Sequence, residues 1–73
     1  MVYSIKADIY YKSGAKCAAL MLASSSLGEI IGRIRYCVNE VKNADCAENR
    51  LFFEGMYDES MRIFTEYMFG GKT

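Results

Sequence analysis

Residues 3–11 alternate almost without fault. Tyr3, Ile5, Ala7, Ile9 and Tyr11 point one way, while Ser4, Lys6, Asp8 and Tyr10 point the other. A period of two in β-branched and aromatic residues predicts a strand with one buried face. The segment Lys12-Ser13-Gly14-Ala15-Lys16 follows, and Gly14 can supply the positive φ of a short hairpin loop. Residues 17–23 are apolar throughout. Their Ala, Leu and Met favour a helix. Their length and their end in Ser24-Ser25-Ser26 suit a second strand, covered on both faces.

Ser26-Leu27-Gly28-Glu29 is a capping-box sequence. The Ser26 hydroxyl can accept from the Glu29 N–H, and the Glu29 carboxylate can reach back to the Ser26 N–H. Beyond it, Leu27, Ile30, Ile31, Ile34, Val38 and Val41 repeat at helical spacing, which predicts a helix to about Lys42. Glu29 precedes Arg33 by one turn, in the favourable order for an ion pair. Lys42 complements the dipole in the last turn, before the polar stretch from Asn43 to Asn49.

Residues 50–57 again alternate, with Leu51, Phe53, Gly55 and Tyr57 against Phe52, Glu54 and Met56. Asp58-Glu59-Ser60 reads as a turn, and residues 61–69 read as a strand closing a second hairpin. The alternative for residues 61–69 is a helix capped by Asp58, ended by Gly70-Gly71 and burying Ile63, Phe64, Tyr67 and Met68. Gly70 to Thr73 reads as a frayed tail.

The expected fold is therefore α+β, a two-layer ββαββ domain spanning residues 1–73 with one helix on one face of an antiparallel sheet. One helix covers one face only. Tyr10, Phe52, Met56, Phe64 and Met68 populate the other, and apolar groups at that density on a sheet face point to a protein interface.

A chain of 73 residues buries only about 60% of the surface its unfolded form exposes, so small domains lean on disulfides, metals or partners. Cys17, Cys37 and Cys46 form an odd set without a close pair, read as free thiols of a reducing compartment, with Cys17 and Cys37 in the core. The remaining pairing would be Cys37 with Cys46. With no His and scattered thiols, the sequence offers no zinc spacing, no metal site and no cofactor motif. A partner chain, most simply a second copy in a homodimer, is the source of stability left. No apolar run reaches the roughly 20 residues of a membrane span, and no targeting segment is evident, so the expected location is cytoplasmic.

Catalysis finds little support. A Cys nucleophile lacks a His base, and Cys37 lies within a helix instead of at its N-terminus. The carboxylate pairs Asp58-Glu59 and Glu54/Glu66 need a cleft to act as acid and base. The chain is therefore read as a non-enzyme. Charge is zero overall but unevenly spread: residues 1–42 carry six cations against three anions, and residues 43–73 the reverse. Such a split can steer a partner or order self-association. Lys6, Lys12, Lys16, Arg33 and Arg35, with Tyr10 to stack on a base, are the candidates for contact with an anion or nucleic acid. Arg33 and Arg35 lie about 200° apart on a helix, and the zero net charge speaks against a nucleic-acid binder.

The reading of function is a small homodimeric protein that binds and modulates or inhibits another protein. Phages and mobile elements direct chains of this kind at host defence factors, an anti-CRISPR-type role included. Its rivals are a nucleic-acid-binding regulator and an oligomer with a small ligand between subunits.

Overall fold

The computed structural model describes residues 3–70, with side chains from Asp8 onward. It contains three helices and, among the described residues, no strand: α1 spans Tyr3–Met21, α2 Leu27–Asn43 and α3 Ala47–Met68. The α+β expectation is overturned, and the ββαββ sheet with it. Residues 3–11 and 17–23 are not paired strands; nearly all of both lie in α1, and the supposed hairpin glycine Gly14 sits in the middle of that helix. Residues 50–57, the supposed turn at Asp58-Glu59-Ser60 and most of residues 61–69 form one continuous helix.

Backbone proximity explains why helices prevail. A Cβ added to Gly14 would lie 1.8 Å from the Phe52 carbonyl oxygen, and one added to Gly55 would lie 2.0 Å from that of Tyr11. Each glycine therefore presses its Cα against the other helix, and each Cα hydrogen points at a carbonyl. Such C–H···O contacts add a modest favourable term where two backbones come this close. The contact face of α1 is a helical stripe, but one made of small residues. Gly14 and Ala18 are buried, Leu22 continues the line, and Tyr11 begins it. Because the stripe lacks bulk, its period of 3.6 is hard to see in a hydropathy pattern.

α3 is the shared element. It packs against α1 and against α2, whereas no Cα of α1 comes within 8 Å of one in α2. α1 and α3 run parallel: Gly14 lies against Phe52 and Met56, and Leu22 lies near Ile63 and Tyr67. α2 runs antiparallel, with Ile30 near Ile63 and Val41 near Glu54. The result is a slab with extents of 39 × 24 × 16 Å.

α2 forms where its sequence predicts. The Ser26 N–H donates to Glu29 Oε1 at 2.8 Å, and the Glu29 N–H donates to the Ser26 hydroxyl at 3.4 Å, completing the capping box. α3 is not capped by Asp58; it passes straight through that position from an N-cap at Cys46. Its end does follow the glycine signal. The Phe69 N–H bonds to the Thr65 carbonyl, and Gly70 adopts φ 81°, the left-handed conformation that stops a helix. Of the tail predicted for Gly70 to Thr73, residues 71–73 lie outside the described residues.

The core is thin. Ala18, Leu22, Ile30, Cys37 and Met56 are the buried apolar residues, with Cys17, Phe52, Phe53 and Tyr57 packed around Ala18, Cys37 and Met56. Phe53 joins Phe52 and Tyr36 edge-to-face, with centroids 5.2 and 5.9 Å apart. Ser60, also buried, donates its hydroxyl to the Met56 carbonyl at 2.7 Å and leaves no orphaned polar atom.

The glycines give opposite expectations on the two sides of the bundle. Gly14→Ala or Gly55→Ala forces backbone apart and should lower the unfolding free energy by about 3 kcal/mol. At Gly28 and Gly32 an added Cβ meets nothing within 4 Å. Gly32→Ala should therefore raise stability, by about 0.5–1 kcal/mol from helix propensity. Urea unfolding of the two classes of variant checks the sign; equal effects would contradict the close crossing.

Candidate functional site

The apolar arc of α2 is wider than the side that α3 covers. Ile30 and Cys37 are buried, while Ile31 and Val38, one residue further round, remain 38% and 43% exposed. A step of one residue turns the side chain by about 100°, so these two face out at the edge of the α2–α3 contact. Val38 there borders a groove of about 400 Å³ lined also by Val41, Tyr57, Lys42, Glu54 and Asp58. Its floor is apolar. Its α2 wall carries the cation, and its α3 wall carries the two carboxylates.

Asp58 also reaches across α3 to the other side. It accepts a hydrogen bond from the Tyr11 hydroxyl, so one side chain ties α1 to the wall of a groove formed with α2. That bond, and to a lesser extent burial and the carboxylates of Asp58, Glu54 and Glu59, hold the Tyr11 phenol up at about 12. Two of the other carboxylates considered for acid–base work have structural engagements. Glu59 and Glu66 both grip Arg62, at one turn before and one turn after it.

A second apolar region lies at the end of the bundle where α1 gives way to α2. Leu20 is 72% exposed and Phe69 81%, with Met21, Tyr67 and Met68 also open. Met21 and Tyr36 share a shallow cleft with Arg33, and Tyr67 lines another with Leu22, Ile30 and Ile63. The Arg33 guanidinium lies 5.1 Å from the centroid of the Tyr36 ring.

The residues expected to share one apolar sheet face do not share a face. Phe52 is half-buried against the core, Met56 is fully buried, Phe64 and Tyr10 are half-buried, and Met68 is open. On a helix, spacings of four drift by about 40° per step, so these α3 positions spread over nearly half the circumference. The basic candidates are also dispersed. Lys12 pairs with Asp8 at 3.2 Å on the outside of α1, and Lys16 is exposed one turn on. Arg33 turns to Tyr36, and Arg35 is exposed on α2 beside Val38 and Lys42. The Lys6 side chain lies outside the described residues. Ile31 and Val38 could be found in the sequence as part of the α2 stripe; Tyr57 could not, because its strand assignment turned it the wrong way.

All three thiols are free. Cys37 is buried and its thiol is pushed up to about 11 by desolvation, against the opposing pull of Arg33. Cys17 is half-buried and donates to the Met21 sulfur at 3.3 Å, and Cys46 is exposed. Among the described residues no group of three or more Cys, Asp or Glu side chains could hold a metal ion. Nor is any helix there long and apolar enough to cross a membrane. No family model, curated protein or solved structure matches the chain.

Two measurements test this geometry. The folded-state pKa of Tyr11 is raised above its unfolded value, so its stabilisation is complete below pH 10 and lost as pH rises towards 12. Stability should fall over that window, and Tyr11→Phe should flatten the fall. At neutral pH the variant should cost less than about 1 kcal/mol, since the pair is open to water. In native protein at neutral pH a maleimide should label Cys46 first, and Cys37 only on unfolding. Peptide mapping that finds Cys37 labelled as fast as Cys46 would contradict its burial.

Proposed function

We propose that this chain acts by binding, as a self-associating helical module that docks on another protein and modulates it. The observation that carries the reading is the run of Tyr67, Met68 and Phe69 at the end of α3, each more than half exposed. Helix ends in small domains are ordinarily polar, and an apolar cluster of aromatics and Met is the composition enriched at protein–protein contacts. The thin core supports the reading from the other direction. A slab whose buried apolar set contains one Leu, one Ile and one Met gains much by covering its remaining apolar surface.

The target of this end of the bundle is another protein, and its docking is an apolar contact with aromatic anchors. The basic residues support nucleic-acid binding less well, being scattered over separate faces of α1 and α2 and partly engaged.

The test is capture from native-host lysate on immobilised protein, with and without nuclease, using wild type and Phe69→Asp. One protein recovered in stoichiometric amount, surviving nuclease and lost with Phe69→Asp at unchanged helicity, supports the reading. Recovery that vanishes with nuclease points to a nucleic-acid regulator instead. Recovery unaffected by Phe69→Asp removes the end of the bundle from the interface.

A further inference from the structure

We propose that the α2–α3 groove is the seam of a two-fold symmetric dimer, in which α2 of a second copy of this chain lies antiparallel along α2 with the axis at Val38. The proposal rests on the self-association in the reading above and names its surface.

The groove is complementary to itself. Its α2 wall carries Lys42, with Arg35 in the adjoining hollow that shares Val38 and Lys42, and its α3 wall is acidic, with Glu54 and Asp58. Between them lie Val38, Val41 and Tyr57. A two-fold axis places the same patch on both copies, so every contact from residue i to residue j recurs from j to i. Setting the axis at Val38 pairs position 35 of one chain with position 41 of the other. Val41 lies at the level of Glu54. The second copy's Arg35 therefore arrives beside Glu54, and Arg35 of the first copy beside the second copy's Glu54. Basic wall meets acidic wall twice, over an apolar strip formed by Val38, Val41 and Ile34 from both chains.

The side chains this needs are available. Among the described residues neither Arg35, Lys42 nor Glu54 forms an ion pair within the chain. Val38 is nearly half exposed at the centre of the strip, and its small side chain lets helix axes approach to the 8–10 Å of ordinary helix packing. An unrelated partner would have to reproduce both the apolar strip and the opposed charges. A second copy carries them by symmetry.

Sedimentation equilibrium on the intact chain tests the seam. Wild type should sediment at twice the 8.3 kDa of one chain. Arg35→Glu alone sets Glu against Glu54, and Glu54→Arg alone sets Arg against Arg35. Each should raise the dissociation constant at least about tenfold, with helicity unchanged by circular dichroism. Mixed together, the two variants should form a one-to-one heterodimer, since both crossed pairs are again of opposite sign. Val38→Asp should be monomeric in any mixture. A monomeric wild type overturns the proposal, as do charge variants that dimerise as well as wild type, or a mixture that fails to pair. A monomeric wild type that still captures a protein target through Phe69 would sink the seam and leave the binding reading intact. A dimer with this charge pattern that captures nothing would do the opposite.

Discussion

The crossing of α1 and α3 at Gly14 and Gly55 is the contact on which the other features depend. Two glycines facing each other's backbone let the helices approach more closely than any side chain would allow. That approach brings the Tyr11 hydroxyl within reach of Asp58 and seals Ala18 and Met56 into the core. It also fixes the division of labour on α3. With one side taken up by α1 in backbone contact, α2 must pack on another, and α1 and α2 stay apart. A bundle assembled this way is flat, and a flat bundle leaves apolar side chains at its edges. The thin core and the open groove are thus two consequences of one close contact.

Much of the middle of the chain was legible before the structure, and much of its two ends was not. α2 carries local signals that agree: a reciprocal cap at Ser26 and Glu29, large aliphatic residues at helical spacing, and a cation in the last turn. Its boundaries follow from those alone. α1 carries no such contrast. Its contact stripe is marked by small size instead of hydrophobicity, and Tyr and Ile among short polar residues happen to alternate over residues 3–11. Gly14 was read for its freedom at positive φ, yet what matters at this position is its missing Cβ.

In α3 the difficulty is excess. Leu51, Phe52, Phe53, Met56 and Tyr57 are so densely apolar that periods of 2 and 3.6 fit equally well. Asp58-Glu59-Ser60 has turn composition, but each of the three is satisfied by something that only the tertiary fold or a helix supplies. Asp58 takes the Tyr11 hydroxyl, Glu59 takes Arg62, and Ser60 donates to the carbonyl one turn before it. The weighed alternative of a helix over residues 61–69 had the right end at Gly70 and the wrong start, since the helix begins a full 14 residues earlier at Ala47. The shared face assigned to the interface residues fell with the sheet that grouped them. The alternative grouping by helix face selects Val38 and Tyr57, which the α2 stripe half reveals.

The uneven charge of the chain gains meaning from this topology. Along the sequence it is only a basic first part and an acidic last part. Because α2 and α3 are antiparallel neighbours, the split along the chain becomes a split across one groove, with Lys42 on one wall and Glu54 and Asp58 on the other. Neighbouring elements of opposite sign attract weakly within a monomer, where water screens exposed charges over about 10 Å. The same charges gain weight when a second surface displaces that water and lowers the local dielectric. An arrangement that stabilises the lone chain little can therefore decide which surface the chain meets, and in which direction.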